Sequence, residues 1–76
     1  MIANKIHVCV TTLMSNEYIQ NQVNTCETVK VASFTTFKTD SGDGYVVLTL
    51  AYGTVMSKEM VSKVGRHFGG KFAVAR

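Results

Sequence analysis

Near the middle of the chain, Asp40-Ser41-Gly42-Asp43-Gly44 separates two stretches dense in Val, Thr, Tyr and Phe. Glycine reaches positive φ at no steric cost, and short acids hydrogen-bond their own backbone, so this segment is built to turn. Residues 28–38 lie on one side of it and Tyr45-Val46-Val47-Leu48-Thr49-Leu50-Ala51-Tyr52 on the other. β-branched and aromatic side chains fit a half-buried pleated surface, and two such runs around a glycine turn predict a β-hairpin. A hairpin at the centre leaves only a short segment on each side, and both have to cover its apolar face.

Residues 5–13 alternate, with Ile6, Val8 and Val10 opposite Lys5, His7, Cys9 and Thr11, which predicts a strand. Ser15 is placed to cap a following helix. Glu17 would sit in its first turn, and Tyr18, Ile19 and Val23 form an apolar stripe. Were this helix a loop, the fold would be a β-rich sheet with one helix. After the hairpin, Gly53 is expected to end the strand and Ser57 to cap a second helix. Met56 is placed to pack on Val61 as in a hydrophobic staple, and Met60, Val61, Val64 and Phe68 supply the apolar face. Gly69-Gly70 stops the helix, and residues 71–76 alternate again as a short closing strand. The order βαββαβ predicts an α+β, ferredoxin-like sandwich, an antiparallel sheet with both helices on one face. Right-handed crossovers put the first and third strands in the middle.

With 76 residues the chain forms one domain, 1–76, and a composition of 46% hydrophobic and 17% charged residues is that of a globular rather than a disordered segment. A domain so small buries only about 60% of its unfolded surface, so self-association is a natural source of further burial. The start Met1-Ile2-Ala3-Asn4-Lys5-Ile6-His7 has none of the features of a signal peptide and reads as the beginning of a small complete gene product. No apolar run approaches the roughly 18 residues a membrane span needs. The expectation is a cytoplasmic protein without membrane association, with Cys9 and Cys26 as reduced thiols.

The residues offer little to catalysis. Glu17, Glu27, Asp40, Asp43 and Glu59 are scattered. The closest pair, Asp40 and Asp43, falls in a turn too exposed to separate two carboxylate pKa values. His7 and Cys9 share a strand face, yet a structural zinc site needs four ligands, and only Cys26 and His67 remain. Arg66-His67-Phe68-Gly69-Gly70-Lys71 resembles a phosphate cradle but closes a helix, whereas anion sites favour helix N-termini. Cations at that end instead complement the helix dipole. No enzymatic activity, metal or cofactor is expected. Gly65, inside the second helix, costs roughly 1 kcal/mol relative to Ala and calls for close packing against the sheet or a partner.

Charge is the most directional signal. Residues 54–76 hold Lys58, Lys63, Arg66, Lys71 and Arg76 against Glu59 alone, with His67 among them. The remaining Lys5, Lys30 and Lys38 face Glu17, Glu27, Asp40 and Asp43, so the C-terminal third carries the excess behind the net charge of +3. A few surface lysines also serve solubility alone. The helix-covered sheet face is expected to hold Ile6, Val8, Val10, Val46, Leu48, Leu50, Phe72 and Val74. The free face then holds Lys5, His7, Cys9, Thr11, Tyr45, Val47, Thr49 and Ala51. Two registers are open for the second strand: Lys30, Ala32, Phe34, Thr36 and Lys38 outward, or Val29, Val31, Ser33, Thr35 and Phe37. The first suits the more polar face, and a bulge switching between them is the third choice.

Cations interleaved with aromatics on an open sheet suit single-stranded nucleic acid. The RNA-recognition motif uses this topology and this face. Its central-strand motif combines a base and glycine with several aromatics. Gly42-Asp43-Gly44-Tyr45-Val46-Val47-Leu48 has one aromatic and an acid in the place of the base, so the resemblance is one of topology alone. The expected function is binding of RNA or single-stranded DNA, or of a complex that carries it. The candidate residues are Lys58, Lys63, Arg66, His67, Lys71, Arg76, Lys5, Lys30 and Tyr45. The alternative is a phage or mobile-element accessory protein that inhibits a host protein by docking on it, with the edge strand or the second helix as the contact; an acidic protein surface is the expected partner in place of nucleic acid. A homodimer through the open face or an edge strand is compatible with either.

Overall fold

The structure, a computed structural model, describes residues 2–76; Met1, taken above as the start of the gene product, lies outside them. The elements are β1 (Ile2–Val10), α1 (Asn16–Thr25), β2 (Val31–Lys38), β3 (Gly44–Val55), α2 (Lys58–His67) and β4 (Phe72–Ala75). They form one antiparallel sheet in the order β2-β3-β1-β4. This is the α+β, βαββαβ arrangement, and a ferredoxin-like layout fits it. β1 and β3 are central, as right-handed crossovers require, and β2 and β4 are the edges.

Local chemistry explains the helices. Ser15 Oγ accepts from the Tyr18 N–H and Ser57 Oγ from the Met60 N–H, each at 3.2 Å. Glu17 and Glu59 lie in the first turns, at the positive end of the helix dipole. α2 ends in a Schellman motif: the Gly69 N–H donates to Arg66 O at 3.0 Å and the Gly70 N–H to Gly65 O at 2.9 Å. Gly69 has φ +69°, the left-handed conformation this motif needs. The Gly-rich loop closes between Thr39 and Asp43, whose backbone bond is 2.9 Å, with Gly42 at φ +92°.

One apolar core lies between the sheet and both helices. Ile6, Val8, Val10, Val46, Leu48 and Leu50 of the sheet meet Ile19 of α1 and Val64 and Phe68 of α2. Met56 is buried before the Ser57 cap and lines the same groove as Val61. Ile19 is the one buried residue of α1; Tyr18, expected on its apolar stripe, is 46% exposed. The helix is rich in Asn and Gln, and of its apolar positions only Ile19 is fully turned into the core, with Val23 partly buried against it.

Three register expectations are corrected. First, Phe72 and Val74 stand on the open face, because Phe72 pairs with Cys9 and Val74 with His7. Ala73 and Ala75 face the helices instead, since α2 approaches β4 so closely that a Cβ on Gly65 would lie 3.1 Å from the Cβ of Ala73. A side chain on Gly65 would already crowd Ala73. Second, β2 turns Ser33, Thr35 and Phe37 outward, paired with Thr49, Val47 and Tyr45. Phe34, Thr36 and Lys38 take the helix-side phase, opposite Leu48, Val46 and Gly44, so Phe34 and Lys38 leave the open face. A register shift between Val31 and Ser33 separates this strand from Lys30, placing the bulge before Phe34 rather than between the two phenylalanines.

Third, the ends of the central strands move. β3 runs through Gly53 to Val55, because an irregularity between Ala3 and Lys5 lets Ile2 and Ala3 pair with Val55 and Thr54. β1 stops at Val10, and Leu13 folds back over the bare Cα of Gly44, where a Cβ would meet Leu13 Cγ at 2.8 Å. No helix among the described residues is long and apolar enough to cross a membrane.

Candidate functional site

The corrected registers turn the open face into a grid of three rungs. The first rung is Phe37–Tyr45–Cys9–Phe72 and the second Thr35–Val47–His7–Val74. The third is Ser33–Thr49–Lys5–Arg76, where the Arg76 N–H donates to Lys5 O at 2.8 Å and the Lys5 N–H to Arg76 O at 3.1 Å. Rungs on one face are two residues apart, about 7 Å. The face therefore grades from aromatic to cationic over roughly 13 Å.

On the first rung the Phe37 and Tyr45 rings stack, with centroids 5.1 Å apart and planes 9° from parallel. Phe72 meets Tyr45 edge-on at 6.5 Å. Cys9, paired with both Tyr45 and Phe72, is buried beneath them, while Phe37 and Phe72 remain 45% and 51% exposed. Burial pushes the Tyr45 phenol above its usual pKa, as do Cys9 and Asp43 beside it, with Lys71 opposing. The hydroxyl is thus a neutral donor at physiological pH. At the rim, Lys71 Nζ lies 3.3 Å from Asp43 Oδ1.

On the second rung His7 is half-buried between Val47 and Val74, and its Nδ1 is enclosed without a hydrogen-bond partner. Burial, then the charges of Arg76 and Lys5, push its pKa below the usual value, so the ring is neutral at pH 7. No carboxylate stands on any of the three rungs.

The candidate residues divide among separate surfaces. Lys5, Tyr45 and Arg76 share the open face. Lys58, Lys63 and Arg66 are exposed on α2, on the other side of the sheet, so one short ligand cannot touch both sets. Lys71 connects the two, lining a groove with Arg66 and Phe72 at the β4 edge. Lys30 stands apart, in a shallow depression with Glu27, Tyr52 and Thr54. His67 ties the helices together: its Nε2 lies 2.7 Å from Gln22 O and 3.1 Å from Thr25 Oγ1. A carbonyl only accepts, so Nε2 carries the proton and donates to it.

Two members of the aromatic rung, Phe37 and Phe72, escaped the sequence-based choice. The signal for Phe37 is arithmetic: counting outward from Ser41 at the loop centre pairs it with Tyr45. The signal for Phe72 is Gly65, whose missing side chain requires small residues in the facing phase of β4. The Arg66–Lys71 segment forms the Schellman motif, its glycine N–H groups spent on Gly65 and Arg66 carbonyls, which leaves no phosphate cradle. No group of three or more His, Cys, Asp or Glu among the described residues is placed to hold a metal ion.

Comparison with family models, with curated proteins and with solved structures finds no match to this chain. Any functional reading therefore rests on the geometry above.

Proposed function

We propose that the domain is a non-catalytic binding module for single-stranded nucleic acid, engaged through the open sheet face. The observation that carries this reading is the gradient from the Phe37–Tyr45–Phe72 rung to the Lys5–Arg76 pair, with the Asp43 carboxylate only at its aromatic rim, against Lys71. Bases have π-faces and stack on exposed aromatics whatever their sequence; phosphates need cations one or two nucleotides away. Phe37 and Phe72 each keep about half of their surface free for such contact. Lys71 adds a third cation, since an exposed pair such as Lys71–Asp43 is worth at most about 1 kcal/mol and yields readily to a phosphate. The helix-side cations Lys58, Lys63 and Arg66 contribute only to long-range attraction here.

The test is fluorescence anisotropy with labelled oligo-U and oligo-dT at low salt, on the native protein and on Phe37→Ala and Phe72→Ala. Base stacking on aromatics is worth about 1–3 kcal/mol per base, so each variant is expected to weaken binding at least fivefold. Unchanged affinity in both variants refutes stacking on this face. A concentration-dependent dimer that shields both rings and binds no oligonucleotide would show the patch to be a self-association surface instead.

A further inference from the structure

β4 is an edge strand of four residues. Proteins blunt such edges with short strands, charged side chains, proline or bulges. Lys71 and Arg76 flank Phe72-Ala73-Val74-Ala75, but within these four residues there is no charge, proline or register shift against β1. The reciprocal Lys5–Arg76 bonds fix the phase: residues 72, 74 and 76 direct their backbone groups to β1. The N–H and C=O of Ala73 and Ala75 therefore point away from the sheet, where no strand follows.

Beside this edge runs a groove bounded by α2. One part, of about 500 Å³, is lined by Met56, Lys58, Val61 and Ser62 against Ala73 and Ala75. A second part, of about 260 Å³, is lined by Ser62, Gly65 and Arg66 against Lys71 and Phe72. Ser62 belongs to both, so the two follow the whole α2–β4 seam. The centre is lined by small residues and Val61, with the Ser62 hydroxyl as its one polar side chain, and has Lys58 at one end and Arg66 with Lys71 at the other. No carboxylate lines either part.

We infer that this seam is a docking site for an extended, acidic polypeptide segment of a partner protein, which adds to β4 as a fifth strand. Outward N–H and C=O groups alternating along an edge are met by another peptide backbone. Lys58 and Arg66 are two helical turns apart, about 12 Å, which an extended chain spans in about four residues. Alternate residues of a strand share a face, so the segment carries carboxylates at positions four apart facing α2. The residue midway between them is small and apolar, lying against Val61 and Ala73. A second copy of this chain is disfavoured by charge. Outward residues pair only with outward residues, so antiparallel β4–β4 pairing would set Ala73 against Ala75 and bring the Lys71 and Arg76 of both copies into one seam without a carboxylate.

The probe is a fluorescein-labelled peptide of alternating Thr and Val with two glutamates four apart, compared with its glutamine counterpart. Heteronuclear NMR with the full chain is expected to show the Ala73 and Ala75 amides shifting and gaining exchange protection, with Phe37 and Tyr45 unmoved. Lys58→Glu with Arg66→Glu, both on exposed positions, is expected to lower affinity at least tenfold while the circular dichroism spectrum is unchanged. Ala75→Pro removes an outward N–H without touching the β1 ladder, and is expected to lose binding as well. Equal binding of the glutamine peptide, or shifts confined to the open face, overturns the inference. So does displacement of the peptide by oligo-U that shifts the same Ala73 and Ala75 amides, which would make the seam a nucleic-acid site. Because the open face lies across the sheet, loss of oligonucleotide binding in Phe37→Ala leaves this result untouched.

Discussion

At Gly70 the chain has no room for a single carbon. A Cβ there would run into Val8 Cγ1 and come within 2.9 Å of Cys9 O, and the second of these is backbone that cannot turn aside. Gly69 is the opposite case, with open space around its Cβ position but φ at +69°. Gly70→Ala is therefore expected to cost about 2–3 kcal/mol through overpacking, and Gly69→Ala only about 1 kcal/mol through left-handed strain. Urea midpoints of the two variants against the native protein test the ranking; equal losses would mean that the α2–β4 connection tolerates widening. His7 makes a second residue-scale prediction. Burial, Arg76 and Lys5 lower its folded pKa, while the unfolded chain keeps a value near 6.5. Above pH 6.5 both states are neutral there and His7 adds no pH dependence. As pH falls through 6.5 the unfolded chain takes up a proton that the folded one refuses, so stability drops until the folded ring titrates too. His7→Gln is expected to flatten that drop, read as a smaller loss of urea midpoint between pH 7.5 and 5.5. An unchanged loss would place the titration elsewhere.

At the scale of elements the two helices are unequal partners. α2 buries Val64 and Gly65 and is followed at once by the buried Phe68. α1 buries Ile19 alone, has no base in its last turn and depends on His67 of α2 for a tie to Gln22 and Thr25. Few buried contacts mean a low local opening energy. Hydrogen exchange is expected to release α1 amides well before those of α2. His67→Ala should accelerate exchange across residues 22–25 specifically, leaving α2 protection near its native level; equal acceleration in both helices would show that they open as one unit. The same contrast explains what the sequence discloses. Element order was legible because its determinants are local: Ser15 and Ser57 as caps, Gly69 as a stop, the glycine turn at 40–44. The phase of β4 was not, because it depends on the meeting of Gly65 with Ala73, residues on different elements. Alternation of Phe72, Ala73, Val74 and Ala75 fits either phase, and burial of the larger pair was the wrong choice. Of the candidate site, Lys5 and Tyr45 were found from the strand pattern and Arg76 from the charge of the C-terminal third, while Phe37 was left between two registers that pairing with Tyr45 decides.

For the whole molecule, the sheet divides the positive charge into two sets that share only Lys71. An open-face ligand touches Lys5, Arg76 and Lys71; an α2–β4 ligand touches Lys58, Arg66 and again Lys71. Salt dependence separates them, because each phosphate neutralised on a single strand contributes about −0.7 to the slope of log K against log salt. Three open-face contacts give an expected slope near −2 for oligo-U binding. Lys5→Ala with Arg76→Ala removes two of them and should bring the slope to about −0.7. Lys58→Glu with Arg66→Glu changes the net charge by more, yet acts from across the sheet, beyond about a Debye length at 0.15 M salt. It should lower affinity modestly at low salt and leave the slope nearly as it was. Anisotropy titrations from 50 to 300 mM KCl decide between the surfaces. If the helix-side variant flattens the slope and the open-face variant does not, the nucleic acid lies along α2, and the aromatic rung serves some other contact.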